Sequence, residues 1–244
     1  MTPTDSGRVE DLFAAGARNG TPASVRSAAC VLFWPVSCDP DTSERCASVL
    51  SDTELERADR CVTEEGRANF THRRAFRRYC GARALGSPRP LAQIAFQETE
   101  KGRPYLPDSP DLWFSFSSSP LGFLGAWSST HAIGVDLEDT SRNLDAVELA
   151  RRFFSKAEAE AVEGTDGPSR RRTFFRLWSL KEAALKSIGE GLPVGLDAFA
   201  FDLDPIVRVV DAPREHGGPK RFGAHLIAAA DGCAALVVRK RSTR

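Results

Sequence analysis

Residues 174–189 read Phe-Phe-Arg-Leu-Trp-Ser-Leu-Lys-Glu-Ala-Ala-Leu-Lys-Ser-Ile-Gly. Phe174, Trp178 and Leu185 recur at helical spacing and form one apolar stripe. The stretch therefore reads as an amphipathic helix running from about Ser169 to Ile188. Gly189 and Gly191 close it, and Pro193 prevents its continuation. Glu182 and Lys186 stand four residues apart and share a face. Alone, such a pair is an exposed ion pair contributing a few tenths of a kcal/mol.

Upstream lies Gly134-Val135-Asp136-Leu137-Glu138-Asp139, within a strand predicted over His131–Glu138. Side chains alternate along a strand, so Val135 and Leu137 point into the core while Asp136 and Glu138 share the other face. Two readings stay open on this segment. The strand end leaves the core and both acids are solvated, or a divalent metal relieves their repulsion and desolvation. Glu182 offers a third carboxylate on a rigid helix, with Lys186 one turn on. That set suits magnesium bridging to a pyrophosphate, because magnesium takes few protein carboxylates and keeps positions for water and phosphate oxygens.

Around these two segments the pattern is mixed. Val31–Val36 reads as a first strand, and Ser51-Asp52-Thr53-Glu54 has the capping-box spacing that opens a helix. A second helix is predicted from Glu65 to Leu85, stopped by Gly86, Pro88 and Pro90. Ile94–Phe96 reads as a short strand, 101–110 as a Pro-rich loop, and Leu112–Ser117 with Gly122–Ser128 as a hairpin. Ser155-Lys156-Ala157-Glu158 repeats the capping-box spacing. Strands are expected at Ala198–Leu203, Ile206–Val210, Phe222–Ala229 and Cys233–Arg239. Helices followed by hairpins indicate an α+β fold rather than a doubly wound sheet. Residues 1–27, polar and rich in small residues, read as a disordered extension.

Composition excludes several classes. The 244 residues are 41% hydrophobic and carry 33 basic and 33 acidic side chains, so a nucleic-acid binder with diffuse positive charge is not expected. No apolar run approaches the length of a membrane-spanning helix, and no secretory h-region begins the chain. The six cysteines show no C-x-x-C spacing, so they are expected to be free thiols of a cytoplasmic protein. No Ser-His-Asp or Cys-His arrangement is evident.

Three stretches together resemble the Sfp-type 4'-phosphopantetheinyl transferases: GVDLED at 134–139, RFFSKAE at 152–158 and FFRLWSLKEAALKSIGEGLP at 174–193. KGRPYLP at 101–107 and the Arg-rich HRRAFRRYCGARAL at 72–85 add weaker support. The resemblance covers roughly residues 30–235. It implies two similar α+β halves in one chain, 28–130 and 131–244, with coenzyme A in the cleft between them. It also implies transfer of the 4'-phosphopantetheine arm of coenzyme A to a serine of an acyl or peptidyl carrier protein, with release of 3',5'-ADP. By the same resemblance Asp136, Glu138 and Glu182 are the ligands of Mg2+, with Mn2+ as the alternative. Lys186 contacts the transferred phosphate, Glu158 is a candidate base for the carrier serine, and Arg74 holds the 3'-phosphate. Arg103 and Lys181 are further cofactor contacts. A monomer serving polyketide or nonribosomal peptide carriers, without membrane or nucleic acid, is expected.

Glu158 keeps a second reading, since a helix cap alone accounts for Ser155 and Glu158. Two other functions stay open: a coenzyme A- or carrier-binding module without turnover, and a metal-dependent diphosphate-ester hydrolase. One departure is visible. Ser118 stands where the family carries a histidine that contacts the cofactor diphosphate, and a serine can donate a hydrogen bond there but no charge. The pH–rate profile is therefore expected to lack a histidine limb near ~6.5. Such a limb, abolished by replacing another histidine, would contradict this.

Overall fold

The computed structural model describes residues 18–19, 28–35, 39–86, 89–189, 194–229 and 232–240. Two antiparallel sheets form the frame. The first holds β1 (Arg18–Asn19), β2 (Cys30–Pro35), β5 (Trp113–Ser119) and β6 (Gly122–Ser128), in the order β1-β2-β6-β5. The second holds β7 (His131–Asp139), β10 (Phe222–Ile227) and β11 (Gly232–Lys240), in the order β10-β11-β7. Two short pairs stand apart: β3 (Gln97–Glu98) with β4 (Pro104–Tyr105), and β8 (Ala200–Asp202) with β9 (Arg208–Asp211). Helices α1 (Pro40–Ala47), α2 (Asp52–Asp59) and α3 (Glu64–Leu85) follow β2, and α4 (Ala146–Phe153), α5 (Lys156–Glu163) and α6 (Gly167–Ile188) follow β7. The architecture is α+β, as the order of helices and hairpins implies.

Local chemistry sets the helix ends. Ser51 and Ser155 each form a reciprocal capping box, with Glu54 and Glu158. The long helices α3 and α6 both end on a glycine in the left-handed region, Gly86 at φ +58° and Gly189 at +70°.

Three apolar layers result. Trp34, Phe76 and Phe123 join α3 to the first sheet. Phe174, Phe175, Ala235 and Val237 join α6 to the second. Val31, Leu124, Ala126, Ile133, Val135, Leu137 and Leu236 fill the space between the sheets. The sheets also meet edge to edge, where β5 runs alongside β7 in the same direction. Side chains replace a backbone ladder there. Trp113 Nε1 donates to the Ile133 carbonyl at 2.7 Å, and the Val135 amide donates to Ser115 Oγ at 3.0 Å.

The other face of β7 lies under α6, and Gly134 sets how close they come. A β-carbon built there would stand 1.9 Å from the Ala183 carbonyl oxygen and 2.5 Å from the Ser187 amide nitrogen. Only a residue without a side chain permits that approach.

Several expectations change. Ile94–Phe96 is not a strand. A short 3-10 turn covers Leu91–Gln93, and the Arg78 guanidinium takes the carbonyls of Leu91, Ala92 and Ile94, which are then lost to a ladder. Helices α1 and α4 were not expected; each opens on an aspartate cap, Asp39 before Pro40 and Asp145. The expected N-terminal extension lies outside the described residues, except that Arg18 and Asn19 pair with Phe33 and Leu32. Val36, Pro88, Gly191, Pro193 and Cys38 also lie outside them. Among the described cysteines, Cys46, Cys61, Cys80 and Cys233 are free thiols. No helix among the described residues is long and apolar enough to cross a membrane.

The packing at Gly134 gives a first prediction. Gly134→Ala should cost about 3 kcal/mol or prevent folding, because backbone rather than a flexible side chain must move. Gly223→Ala, whose β-carbon would meet only His225 at 3.6 Å, should lie within about 1 kcal/mol of the parent. Urea unfolding of both variants tests this, and equal effects would contradict it.

Candidate active site

Strand β7 and helix α6 supply the centre of the site. On β7 the even positions face the helix, so Asp136 is covered and only 3% exposed. Lys186 Nζ lies 2.7 Å from Asp136 Oδ1, and Ser117 Oγ on β5 donates to the same oxygen at 3.0 Å. Lys186 also donates to Ser117 Oγ at 3.3 Å, so the three side chains form a closed triangle. Oδ2 of Asp136 is buried and has no hydrogen-bond partner among the described residues. A buried carboxylate oxygen without a donor is costly.

Two further acids feel this charge. Burial pushes the Glu138 carboxyl up and the Asp136 charge adds to this, offset by Arg142 and Lys186. Burial likewise raises Glu182; Lys186 opposes the rise and Asp136 reinforces it. Glu138 Oε2 accepts from Arg142 Nη1 at 2.7 Å. Among the described residues, no three His, Cys, Asp or Glu side chains are drawn together as a metal site. Lys186 holds the centre instead. The donor set nevertheless suits a hard divalent cation: oxygen atoms only, one of them buried and unsatisfied, and two neighbouring carboxyls raised chiefly by burial and further by the Asp136 charge.

Two cavities open beside this centre, each of about 270 Å³. One lies among Lys101, Gly102, Arg103, Glu182, Leu185 and Gly189. The other lies among Arg73, Ser117, Ser118 and Phe123. Arg77, Phe116 and Lys186 line both. The cavities thus sit on either side of Lys186, between α3 of the N-terminal part and α6 of the C-terminal part. The Arg103 guanidinium stacks on Trp113, 4.2 Å from its ring centroid, which holds it at the rim.

A family model for the 4'-phosphopantetheinyl transferase superfamily matches residues 132–226, the segment holding Asp136, Glu138, Glu182 and Lys186. The 4'-phosphopantetheinyl transferase HetI of Nostoc sp. is 34% identical over 167 residues, 66% of this chain and 70% of that protein. The chain belongs to the 4'-phosphopantetheinyl transferases. The transferase Sfp of Bacillus subtilis is 36% identical over 126 residues, which span 51% of this chain and 55% of Sfp. The match thus reaches little more than half the length of that relative. The solved holo-[acyl-carrier-protein] synthase of Thermotoga maritima shows 21% identity and a TM-score of 0.36, covering 46% of this chain and 64% of that one.

Within this family member, Asp136, Glu182, Lys186, Arg103 and Ser118 gather at the centre and its cavities, while Glu138, on the same face of β7 as Asp136, lines neither cavity and pairs with Arg142. Lys181 and Glu158 do not line them. Lys181 is one residue before Glu182, hence about 100° around α6, and it faces the core with no exposure. Its ammonium lies 2.8 Å from Glu158 Oε2 and donates to the carbonyls of Leu196 and Phe199. Burial pushes its pKa down, partly countered by Glu158.

Glu158 is 3% exposed, and both of its oxygens are engaged. Oε2 accepts from the Ser155 amide and hydroxyl at 3.0 and 2.6 Å, and Oε1 from the Phe201 amide at 2.9 Å. The structure therefore favours the capping reading over the base, and makes Lys181 a structural partner rather than a cofactor contact. Arg74 also shifts role. It sits 3.9 Å from Glu54 and over the Phe70 ring, while its neighbours Arg73 and Arg77 line the cavities. Sequence reasoning did not single out Ser117 or Lys101, and among the arginines at 73, 74, 77, 78 and 83, of which one or two were expected to touch phosphate, it preferred Arg74 over Arg73. The 3.6-residue period places Arg73 and Arg77 on one face of α3, but gives no sign that this face meets β5.

The Glu158–Lys181 pair yields a stability prediction. Lys181→Met leaves a buried carboxylate unpaired and should cost about 3–5 kcal/mol in urea unfolding. Adding Glu158→Gln should recover much of that loss. A single-variant loss below about 1 kcal/mol would contradict the buried pair.

Proposed function

We propose that this chain transfers the 4'-phosphopantetheine arm of coenzyme A to a serine hydroxyl of an acyl or peptidyl carrier protein. The observation carrying this reading is the Asp136–Lys186–Ser117 triangle between two cavities, with Asp136 Oδ2 buried and unsatisfied. In the reaction the carrier serine oxygen forms a bond to the β-phosphorus of coenzyme A. The bond from that phosphorus to the bridging oxygen breaks, 3',5'-ADP departs with the electron pair, and the serine proton passes to solvent. The nucleophile comes from the partner, so the chain needs none of its own. Its contribution is to position the diphosphate and oppose its charge.

Asp136, Glu138 and Glu182 would hold a divalent cation, magnesium being the expected one, and when bound it neutralises charge on the diphosphate. Lys186, which now shares Asp136 Oδ1 with Ser117, would then be a donor for a phosphate oxygen. Arg103, fixed on Trp113, offers a planar fork at the rim. Ser118, exposed on β5, donates a hydrogen bond without charge. A monomer is the expected working unit, and a cytoplasmic setting agrees with the free thiols of Cys46, Cys61, Cys80 and Cys233. Carriers of polyketide or nonribosomal peptide assembly are the expected partners.

One assay separates the alternatives. The protein is incubated with coenzyme A, magnesium and an apo carrier protein, and the carrier is weighed by mass spectrometry. A carrier heavier by one phosphopantetheine supports transfer. Coenzyme A bound without a mass change identifies a binding module, and cleaved coenzyme A with an unmodified carrier identifies a hydrolase. Asp136→Asn and Glu182→Gln should each lower transfer by at least roughly 100-fold. Both should keep near-parental thermal unfolding, and raised magnesium should not rescue them. Full activity in either variant would refute the assignment.

A further inference from the structure

Helix α3 carries six arginines, four of them in two adjacent pairs, Arg73-Arg74 and Arg77-Arg78, whose surroundings differ sharply. Arg78 is buried and its two terminal nitrogens are engaged, by Glu54 and by three carbonyls of the 91–94 turn, although its Nε, like that of Arg74, has no hydrogen-bond partner among the described residues. Arg74 sits near Glu54 and over Phe70. Arg73 reaches one cavity. Arg77 lines both cavities together with Lys186 and Phe116, at the junction where they meet. Its guanidinium lies 5.1 Å from the Phe116 ring centroid. Its Nε is buried without a hydrogen-bond partner among the described residues. Its ion pair, to Glu98 Oε1, is long at 3.5 Å, and that carboxylate is 53% exposed.

The electrostatics are unfavourable for a cation left as it stands. Burial, then Arg74 and Arg73, push its pKa down to about 10, with Glu98 opposing. It still carries its charge at neutral pH. A half-buried guanidinium with one weak partner and two like-charged neighbours gains from any anion that enters the junction. The planar fork suits two oxygens of a phosphate. Ser118, on the wall of the same cavity, contributes no charge.

We propose that Arg77 binds the diphosphate of coenzyme A at the junction of the two cavities, opposite Lys186. The proposal rests on the transferase reading above and adds a substrate-binding residue to it. Glu98 is then a competitor for the same guanidinium, displaced when the substrate enters.

The test measures binding of coenzyme A and of 3'-dephospho-coenzyme A by titration calorimetry, in the full chain with magnesium and without carrier. Arg77→Gln should raise the Kd for both nucleotides by roughly 10–100-fold. Arg77→Lys should fall between, since a point charge replaces the fork. Thermal unfolding should stay near that of the parent. Glu98→Gln, which leaves Arg77 in place, should tighten both nucleotides a few-fold, and it serves also if Arg77→Gln does not fold. Unchanged affinity in Arg77→Gln would overturn the proposal, as would unchanged or weaker binding in Glu98→Gln. A loss seen with coenzyme A but absent with the dephospho form would overturn it too, by placing Arg77 on the 3'-phosphate. A parent protein that binds neither nucleotide, or leaves a carrier unmodified, would instead refute the transferase reading.

Discussion

The contact of α6 on β7 at Gly134 is the constraint from which the site follows. Because residue 134 carries no side chain, the helix backbone at Ala183 and Ser187 descends onto the strand. Glu182 and Lys186 are then delivered to Asp136, two residues further along β7. A larger residue at 134 would lift the helix and separate Lys186 from Asp136, whose present distance is 2.7 Å. The opposite face of β7 is held by Ile133, Val135 and Leu137 in the layer between the sheets. Strand and helix are therefore both fixed against firm packing, which is what a charged centre requires to stay preorganised.

Helix α6 carries two lysines five residues apart, and each meets a carboxylate that is at most 5% exposed. Their environments separate them. Lys181 has no exposure and spends its donors on Glu158 and two carbonyls, so that pair locks α5 to α6. Lys186 keeps 32% of its side chain exposed and opens onto both cavities. In the first pair every polar atom named is satisfied. In the second, Asp136 Oδ2 is not. That asymmetry distinguishes an ion pair built for stability from one with chemistry still available to it.

Much of this was legible in the residues. The helix over 167–188, its glycine end, the hairpin of β5 and β6 and both capping boxes follow from periodicity and cap chemistry, which act within a few residues. The alternation that puts Asp136 and Glu138 on one face follows in the same way. Helices α1 and α4 escaped because each spans eight residues, too few for a periodic signal, although Asp39-Pro40 is a cap pattern. The strand read at 94–96 failed because Arg78, sixteen positions before Ile94, claims the carbonyls that a ladder would use. A side chain arriving from another helix has no local signature.

The chain by itself determined the α+β class, the acids and cations available and the faces they share, because those depend on backbone periods and residue chemistry. Tertiary structure alone decided which of them meet. It withdrew Lys181 and Glu158 into the core, brought Ser117 to Asp136 across the β5–β7 seam, and turned Arg77 to the junction of the cavities. The physical reason is that burial and charge pairing depend on what packs opposite a residue. For this site the opposing surface comes from the other half of the chain.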